Sequence, residues 1–302
     1  MKSEEKPGPI GTPESEVEID VAVVQSLLER QHPELSHLPI YRVDAGWDNA
    51  LFRLGDQWCV RLPRRQMAAA LIENEQTWLP QLAPHLSMPV PTPHRLGKPT
   101  CEYPWHWSVL PWLAGVAADQ AEPDADQAPR LAAFLRSLHT PAPANAPVNP
   151  YRGVSLQQRA TMVEERLQRL APKTTLITLQ IWDTWKRALA APVDMQARWL
   201  HGDLHARNVL VENGAITGII DWGDITSGDI ATDLAAIWML FSEQIARQQA
   251  IAAYGDISEA TLQRAKGWAL LFGAVLLDTG LADHPRHATM GARTLNRIIE
   301  DG

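Results

Sequence analysis

The chain has 302 residues and a formal charge of -8, from 27 Lys+Arg against 35 Asp+Glu, with 45% hydrophobic and 21% charged residues. The length suits one large domain or two modest ones, the composition is that of a globular protein, and the acidic balance excludes nucleic-acid binding by bulk charge. Cys59 and Cys101 are too few for a disulfide framework, no signal-type leader opens the chain, and the longest apolar stretch, Trp268 to Leu277, falls far short of the ~20 residues that span a bilayer, so the expectation is a cytoplasmic protein with no membrane partner.

Residues 1–20, with Pro7, Gly8, Pro9, Gly11 and Pro13 among scattered charges, carry no hydrophobic period and read as a disordered tail. Asp20 followed by Val21, Val24, Leu27 and Leu28 predicts a capped amphipathic helix. Ile40 to Val43, Ala50 to Leu54 and Gln57 to Leu62 are short runs of β-formers. Gly55-Asp56 reads as a two-residue hairpin turn, which would set Arg61 opposite Ala50. Met67 to Leu82 has helical spacing and precedes the prolines 84, 89, 91 and 93; Trp107 to Leu110 predicts a further strand.

Beyond Gly115 the pattern turns helical: Ala128 to His139, Val154 to Leu170, Leu176 to Ala190, Asp229 to Arg247, Ser258 to Leu281 and Thr289 to Glu300. Pro141 to Pro150 reads as a loop, and one β-island, Arg198 to Asp221, interrupts the helices. The expected fold class is α+β: a tail over 1–20, a small antiparallel-sheet lobe over 21–110 and a mostly helical lobe over 111–302.

The β-island carries the chemistry. In His201-Gly202-Asp203-Leu204-His205-Ala206-Arg207-Asn208 an aspartate precedes an asparagine by five residues after a strand, and Ile220-Asp221-Trp222-Gly223 follows. Between them Asn213-Gly214 is a strong hairpin signal, which in regular register sets Asn208 opposite Ile219 and brings Asp221 close by. Phosphoryl transfer needs a carboxylate to orient the attacking hydroxyl, and oxygen ligands to hold Mg2+ on the nucleotide phosphates. Asp203 is the candidate base, and Asn208 and Asp221 are the candidate metal ligands.

These residues resemble the aminoglycoside phosphotransferases, antibiotic kinases whose fold is protein-kinase-like. In that family a His-Gly-Asp-x-His-x-x-Asn loop supplies base and metal ligand, and a following Ile-Asp-aromatic supplies the second ligand. Five fixed residues at roughly 5% usage each would recur by chance in about one in ten thousand chains of this length. The resemblance runs from about residue 40 to 280. It implies a bilobal fold, a nucleotide loop at Gly46, Asp48 and Asn49, a third strand at Trp58 to Pro63, a helix glutamate at Glu75, and a hinge whose Pro111 carbonyl and Leu113 N–H face the purine. No lysine lies between positions 7 and 97, so Arg61 takes the place of the strand lysine that protein kinases use.

His201 and His205 stand four apart, but a zinc reading lacks a third ligand at spacing, so both are assigned to bracing the catalytic loop. Asp229 reads as a helix N-cap, and both it and Asp233 as structural supports of the same loop. The tryptophans on helical faces, Trp182, Trp185, Trp238 and Trp268, read as core.

The resemblance implies an Mg2+-dependent enzyme moving the γ-phosphate of ATP or GTP to a hydroxyl of an aminoglycoside-type antibiotic. The alternatives are another small-molecule kinase, acting on a macrolide, choline, homoserine or a sugar-amine, and a non-catalytic nucleotide-binding pseudokinase. Trp58 to Arg65 also resembles macrolide phosphotransferases, although these carry His where this chain has Asn208. Residues 201–243 hold seven acids against Arg207 alone, and that local charge predicts a cationic acceptor.

Overall fold

The computed structural model describes residues 13–45 and 47–302. Helix α1 (Val21–Gln31) begins where the Asp20 carboxylate accepts the Val23 N–H at 2.8 Å, and it buries Val24, Leu27 and Leu28. Strands β1 (Ile40–Ala45), β2 (Asn49–Leu54) and β3 (Trp58–Pro63) lead into α2 (Gln66–Leu82), β4 (Arg95–Gly97) and β5 (Trp107–Pro111). The strands form an antiparallel sheet in the order β1-β2-β3-β5-β4. Ala50, Phe52, Leu54, Val60 and Leu62 close its core against α1. Residues 15–20, expected as tail, lie against this lobe instead: the Glu16 N–H donates to the Arg64 carbonyl, its carboxylate accepts the Gln66 N–H, and Ile19 is buried.

The β2–β3 register differs by one residue from expectation. The turn holds three residues, Gly55 (φ 56°), Asp56 and Gln57, so Leu54 pairs with Trp58 and Arg61 stands opposite Leu51. Because side chains alternate across a strand, this shift moves Arg61 off the face of Ala50, Phe52 and Leu54 and onto the other face of the sheet.

The second lobe contains β6 (Val116–Ala117), α3 (Ala128–Leu138), α4 (Ala160–Leu170), α5 (Leu179–Ala190), β7 (Arg198–Leu200), β8 (Val209–Glu212), β9 (Ala215–Ile219) and β10 (Thr226–Gly228). It ends in α6 (Ala231–Leu234), α7 (Ala236–Leu240), α8 (Gln244–Tyr254), α9 (Glu259–Asp283) and α10 (Pro285–Glu300). The helix expected over Asp229 to Arg247 is thus three pieces. Buried Arg247 donates to the Phe241 and Ser242 carbonyls, satisfying the acceptors that the end of α7 leaves open.

Helix α9 is the axis of this lobe. It alone among the described residues is long and apolar enough to cross a membrane, and 78% of its apolar window is buried by its neighbours, as suits a core helix. Trp268 on this helix and Trp185 and Trp238 in the same core are fully buried, as expected, and Trp182 packs at the edge. Helix α10 approaches closely: a Cβ on Gly291 would sit 2.4 Å from the Leu277 nitrogen, and one on Gly280 would sit 2.0 Å from that of Ala288.

Candidate active site

The segment from β7 to β8 is pinned from beneath. The buried Asp233 carboxylate accepts the N–H groups of His201 (2.7 Å) and Gly202 (2.9 Å). His139 Nε2 lies 3.4 Å from the same carboxylate and its Nδ1 meets the Tyr254 hydroxyl. His201 donates from Nε2 to the Ile220 carbonyl at 3.0 Å and accepts the Asp203 N–H on Nδ1 at 3.3 Å, so both its nitrogens are engaged within the loop. Gly202 holds φ 87°, and a Cβ there would meet the Asp224 carbonyl oxygen at 2.5 Å, so both conformation and space demand glycine. The Asn208 amide donates to the Asp203 carbonyl at 2.9 Å. The motif's residues therefore brace one another around Asp203.

In the hairpin that follows, Asn213 (φ 51°) and Gly214 (φ 77°) form the expected turn, and Glu212 pairs with Ala215 and Val211 with Ile216. Thr217 is then extra. Beyond this bulge Leu210 pairs with Gly218 and Val209 with Ile219, and the Ile220 N–H donates to the Asn208 carbonyl at 2.9 Å. Asn208 thus stands opposite Ile220, not Ile219, with Asp221 the next residue along. Asp221 adopts left-handed backbone (φ 63°, ψ 70°), uncommon for a non-glycine residue.

The lobes meet at that residue. Arg61 forms an ion pair with Glu75 on α2, and its Nη1 lies 3.3 Å from Asp221 Oδ1. Fully buried Glu75 also accepts the Trp222 N–H at 3.2 Å. The cation that pairs with Glu75 is thus an arginine of β3.

Of the other expected nucleotide-side residues, Gly46 lies outside the described residues. Asp48 pairs with Arg65; burial raises its pKa, with Asp221 and Asp203 adding to the rise. Asn49 begins β2, Pro111 ends β5 opposite Trp58, and the Leu113 side chain lies against Gly218 of β9. Asp229 is the residue expected both to cap the next helix and to support the catalytic loop. It accepts the Ala231 N–H at the start of α6 and takes a two-point pair with Arg264, at 2.6 and 3.1 Å, so it ties α6 to α9 and not to the catalytic loop. His205 sits beside Asp203, with Nε2 3.4 Å from Oδ2; burial lowers its pKa although Asp203 opposes this.

Two residues escaped the sequence reading. Arg152, 51 positions before Asp203, donates from Nη2 to Asp203 Oδ1 at 2.8 Å. Burial acts to raise the Asp203 pKa, but Arg152 and the neighbouring imidazoles outweigh it and hold the carboxyl below its usual range. Asp224 accepts from the Asn149 amide at 2.6 Å, and burial together with Asp203 and Asp221 pushes its carboxyl up to about 7. Neither residue carries a periodic signal, since Arg152 lies in a loop and Asp224 in a single 3-10 turn.

The donor set suits a hard cation. The Asn208 amide nitrogen is turned to the Asp203 carbonyl, which leaves its oxygen as the remaining ligand atom, and the Asp221 carboxylate is 48% exposed toward the cleft.

A sheet lobe over a helical lobe, with an Asp-x4-Asn loop facing a lone aspartate, defines a kinase-like phosphotransferase architecture. Residues 40–268 match the model of the phosphotransferase enzyme family, APH, and the chain belongs to that family. It is 25% identical over 208 residues to the uncharacterized protein YcbJ of Bacillus subtilis (63% of this chain, 65% of that protein). It is 28% identical over 117 residues to an aminoglycoside 3'-phosphotransferase of Escherichia coli (37% and 42%). The matches thus span less than two thirds of these relatives' own length. Among solved structures it is similar in fold to the GDP and kanamycin complex of APH(2")-IIIa, with a TM-score of 0.70 at 19% identity over 93% of this chain and 99% of that one. It is also similar to the macrolide 2'-phosphotransferase MphH of Brachybacterium faecium, with a TM-score of 0.58 at 22% identity over 92% and 98%.

Proposed function

We propose that the protein transfers the γ-phosphoryl group of ATP or GTP to a hydroxyl of a small molecule, with the nucleotide held by the lobe over 21–110 and the acceptor by the lobe over 111–302. The observation that carries this is the convergence of Asp203, Asn208 and Asp221, with Arg61 and Glu75 completing the far side of the cleft. Asp203, ionised at neutral pH, orients the acceptor hydroxyl and accepts its proton as the oxygen attacks phosphorus. Arg61 supplies fixed positive charge beside the phosphates, and Asp48 and Asn49 border them. A magnesium ion on the Asn208 oxygen and the Asp221 carboxylate would supply the charge neutralisation that phosphoryl transfer requires. On likeness alone the acceptor would be an aminoglycoside, with a macrolide second. The buried, acceptor-free Nε of Arg159 favours a different class.

The test is an acceptor screen with both nucleotides, reading released diphosphate. Acceptor-dependent release that Asp203→Ala abolishes is the expected result. Nucleotide binding without release for any acceptor would leave the pseudokinase reading in its place.

A further inference from the structure

The acids between residues 201 and 243 that predicted a cationic acceptor are largely spent inside the protein. Asp229 is taken by Arg264, Asp233 by two backbone N–H groups and Asp203 by Arg152. On the α4 side of Arg152 the charge is positive. The single turn leading into α4 and α4 itself set Arg159, Met162, Arg166 and Arg169 at spacings of three, four and three, which is one helical face. Arg166 and Arg169 both pair with buried Asp278 of α9, at 2.9 and 2.7 Å. On the same helix, less than two turns earlier, Phe272 carries the Arg152 guanidinium at 4.9 Å, the guanidinium that reaches Asp203.

Arg159 closes this set and has no carboxylate partner among the described residues. Its guanidinium stands 5.1 Å over the Tyr151 ring, and its Nε is buried with no acceptor. Burial lowers its pKa, and Arg152 and Arg166 add to the fall, so the three cations share one neighbourhood. Arg152 is answered by Asp203, with Asp224 and Asp48 close by, and Arg166 and Arg169 by Asp278, whereas Arg159 faces no carboxylate. An ammonium passing Arg159 would meet that uncompensated positive charge, whereas an oxyanion would gain a planar guanidinium fork.

We infer that the acceptor of this phosphotransferase is an anionic hydroxy compound whose carboxylate or phosphate is held by Arg159, with Arg152 sharing the anion or swinging to it from Asp203. The inference rests on the phosphoryl-transfer reading above. Arg159 is then a specificity residue that leaves the chemistry of transfer to Asp203.

The experiment compares wild type, Arg159→Ala, Arg159→Glu and Arg159→Lys on four acceptor sets: aldonic and uronic acids, sugar phosphates, their neutral parent sugars, and aminoglycosides. Thermal melting is recorded for each variant with and without inorganic phosphate. We expect turnover confined to one of the two acidic sets, and which set it is separates a carboxylate from a phosphate acceptor. Arg159→Ala should raise the acceptor KM about tenfold or more with little change in kcat, Arg159→Glu should raise it further, and Arg159→Lys should restore part of it. Inorganic phosphate should raise the melting temperature of wild type and not of Arg159→Ala. Turnover of aminoglycosides or neutral sugars with a KM indifferent to Arg159 would overturn the acceptor class and leave phosphoryl transfer standing. Transfer to no member of any set would overturn both, even if phosphate still bound at Arg159.

Discussion

Arg61 Nη1 and Asp221 Oδ1 lie 3.3 Å apart across 160 positions of sequence, and this contact joins the sheet lobe to the end of the β8–β9 hairpin. The same guanidinium is paired with Glu75, which has no exposure to solvent. Burial opposes both charges, and each makes the other tolerable.

Arg61→Ala therefore strands a carboxylate in the interior. Breaking a buried pair from one side costs about 3–5 kcal/mol, and chemical denaturation of the variant should show a loss of that order. The double variant Arg61→Met, Glu75→Leu should be far milder for stability while still abolishing nucleotide binding. If the single and double variants lose equal stability, the pair is not the reason Glu75 is tolerated.

Asp203→Asn keeps the size of the side chain and an oxygen for Arg152 while removing the base. Acceptor phosphorylation should fall by about two to four orders of magnitude, with nucleotide affinity changed by no more than a few fold. A variant retaining a tenth of wild-type turnover would remove Asp203 from the role of base.

Asp224 sets a pH dependence of opposite sign to the common acidic one. Its carboxyl ionises near 7 in the fold but at about 4 in an unfolded chain. Between those values the folded protein keeps a proton that the unfolded chain has released, so stability declines as pH rises through that window. Melting temperatures from pH 4.5 to 7.5 should carry this decline in wild type, and Asp224→Asn should flatten it. Identical slopes in the two proteins would count against the raised carboxyl. Asp203, held low, contributes the reverse: its stabilisation is present above the usual carboxylate range and is lost as pH falls through its depressed value.

At the far end of the lobe, Gly291→Ala would press a methyl to within 2.4 Å of the α9 backbone. The helices must part, and a loss of about 1–3 kcal/mol is expected, read as a lower melting temperature with unchanged helical circular dichroism. A neutral result would mean that α10 can slide along α9 without loss.

Much of this site is visible in the bare sequence because its parts are local. Asp203, Asn208 and His201 sit within one loop, and Asn213-Gly214 forces the fold-back that delivers Asp221. Register was less legible. Gly55-Asp56 looks like a two-residue turn, but Gln57 joins it, and that single residue decides which face Arg61 occupies. Strands β4, β6 and β10, of two or three residues, are too short to show a period. Arg152 and Asp224 gain their meaning only from tertiary proximity, through burial against Asp203, which no spacing announces.

The bulge at Thr217 gives the β8–β9 hairpin an unusual tolerance of length. Its hydroxyl donates to the Ala114 carbonyl at 2.6 Å, fastening the hairpin to the segment that follows β5, while the pairs on either side of it are regular. Removing this one residue would leave Val209 opposite Ile219 and Asn208 opposite Ile220, so Asp221 would keep its place, whereas deleting Ile219 or Ile220 would rotate it out of the cleft. In a deletion scan along β9, position 217 should be the one vacancy the catalytic geometry survives, which marks it as a natural place for chain-length change.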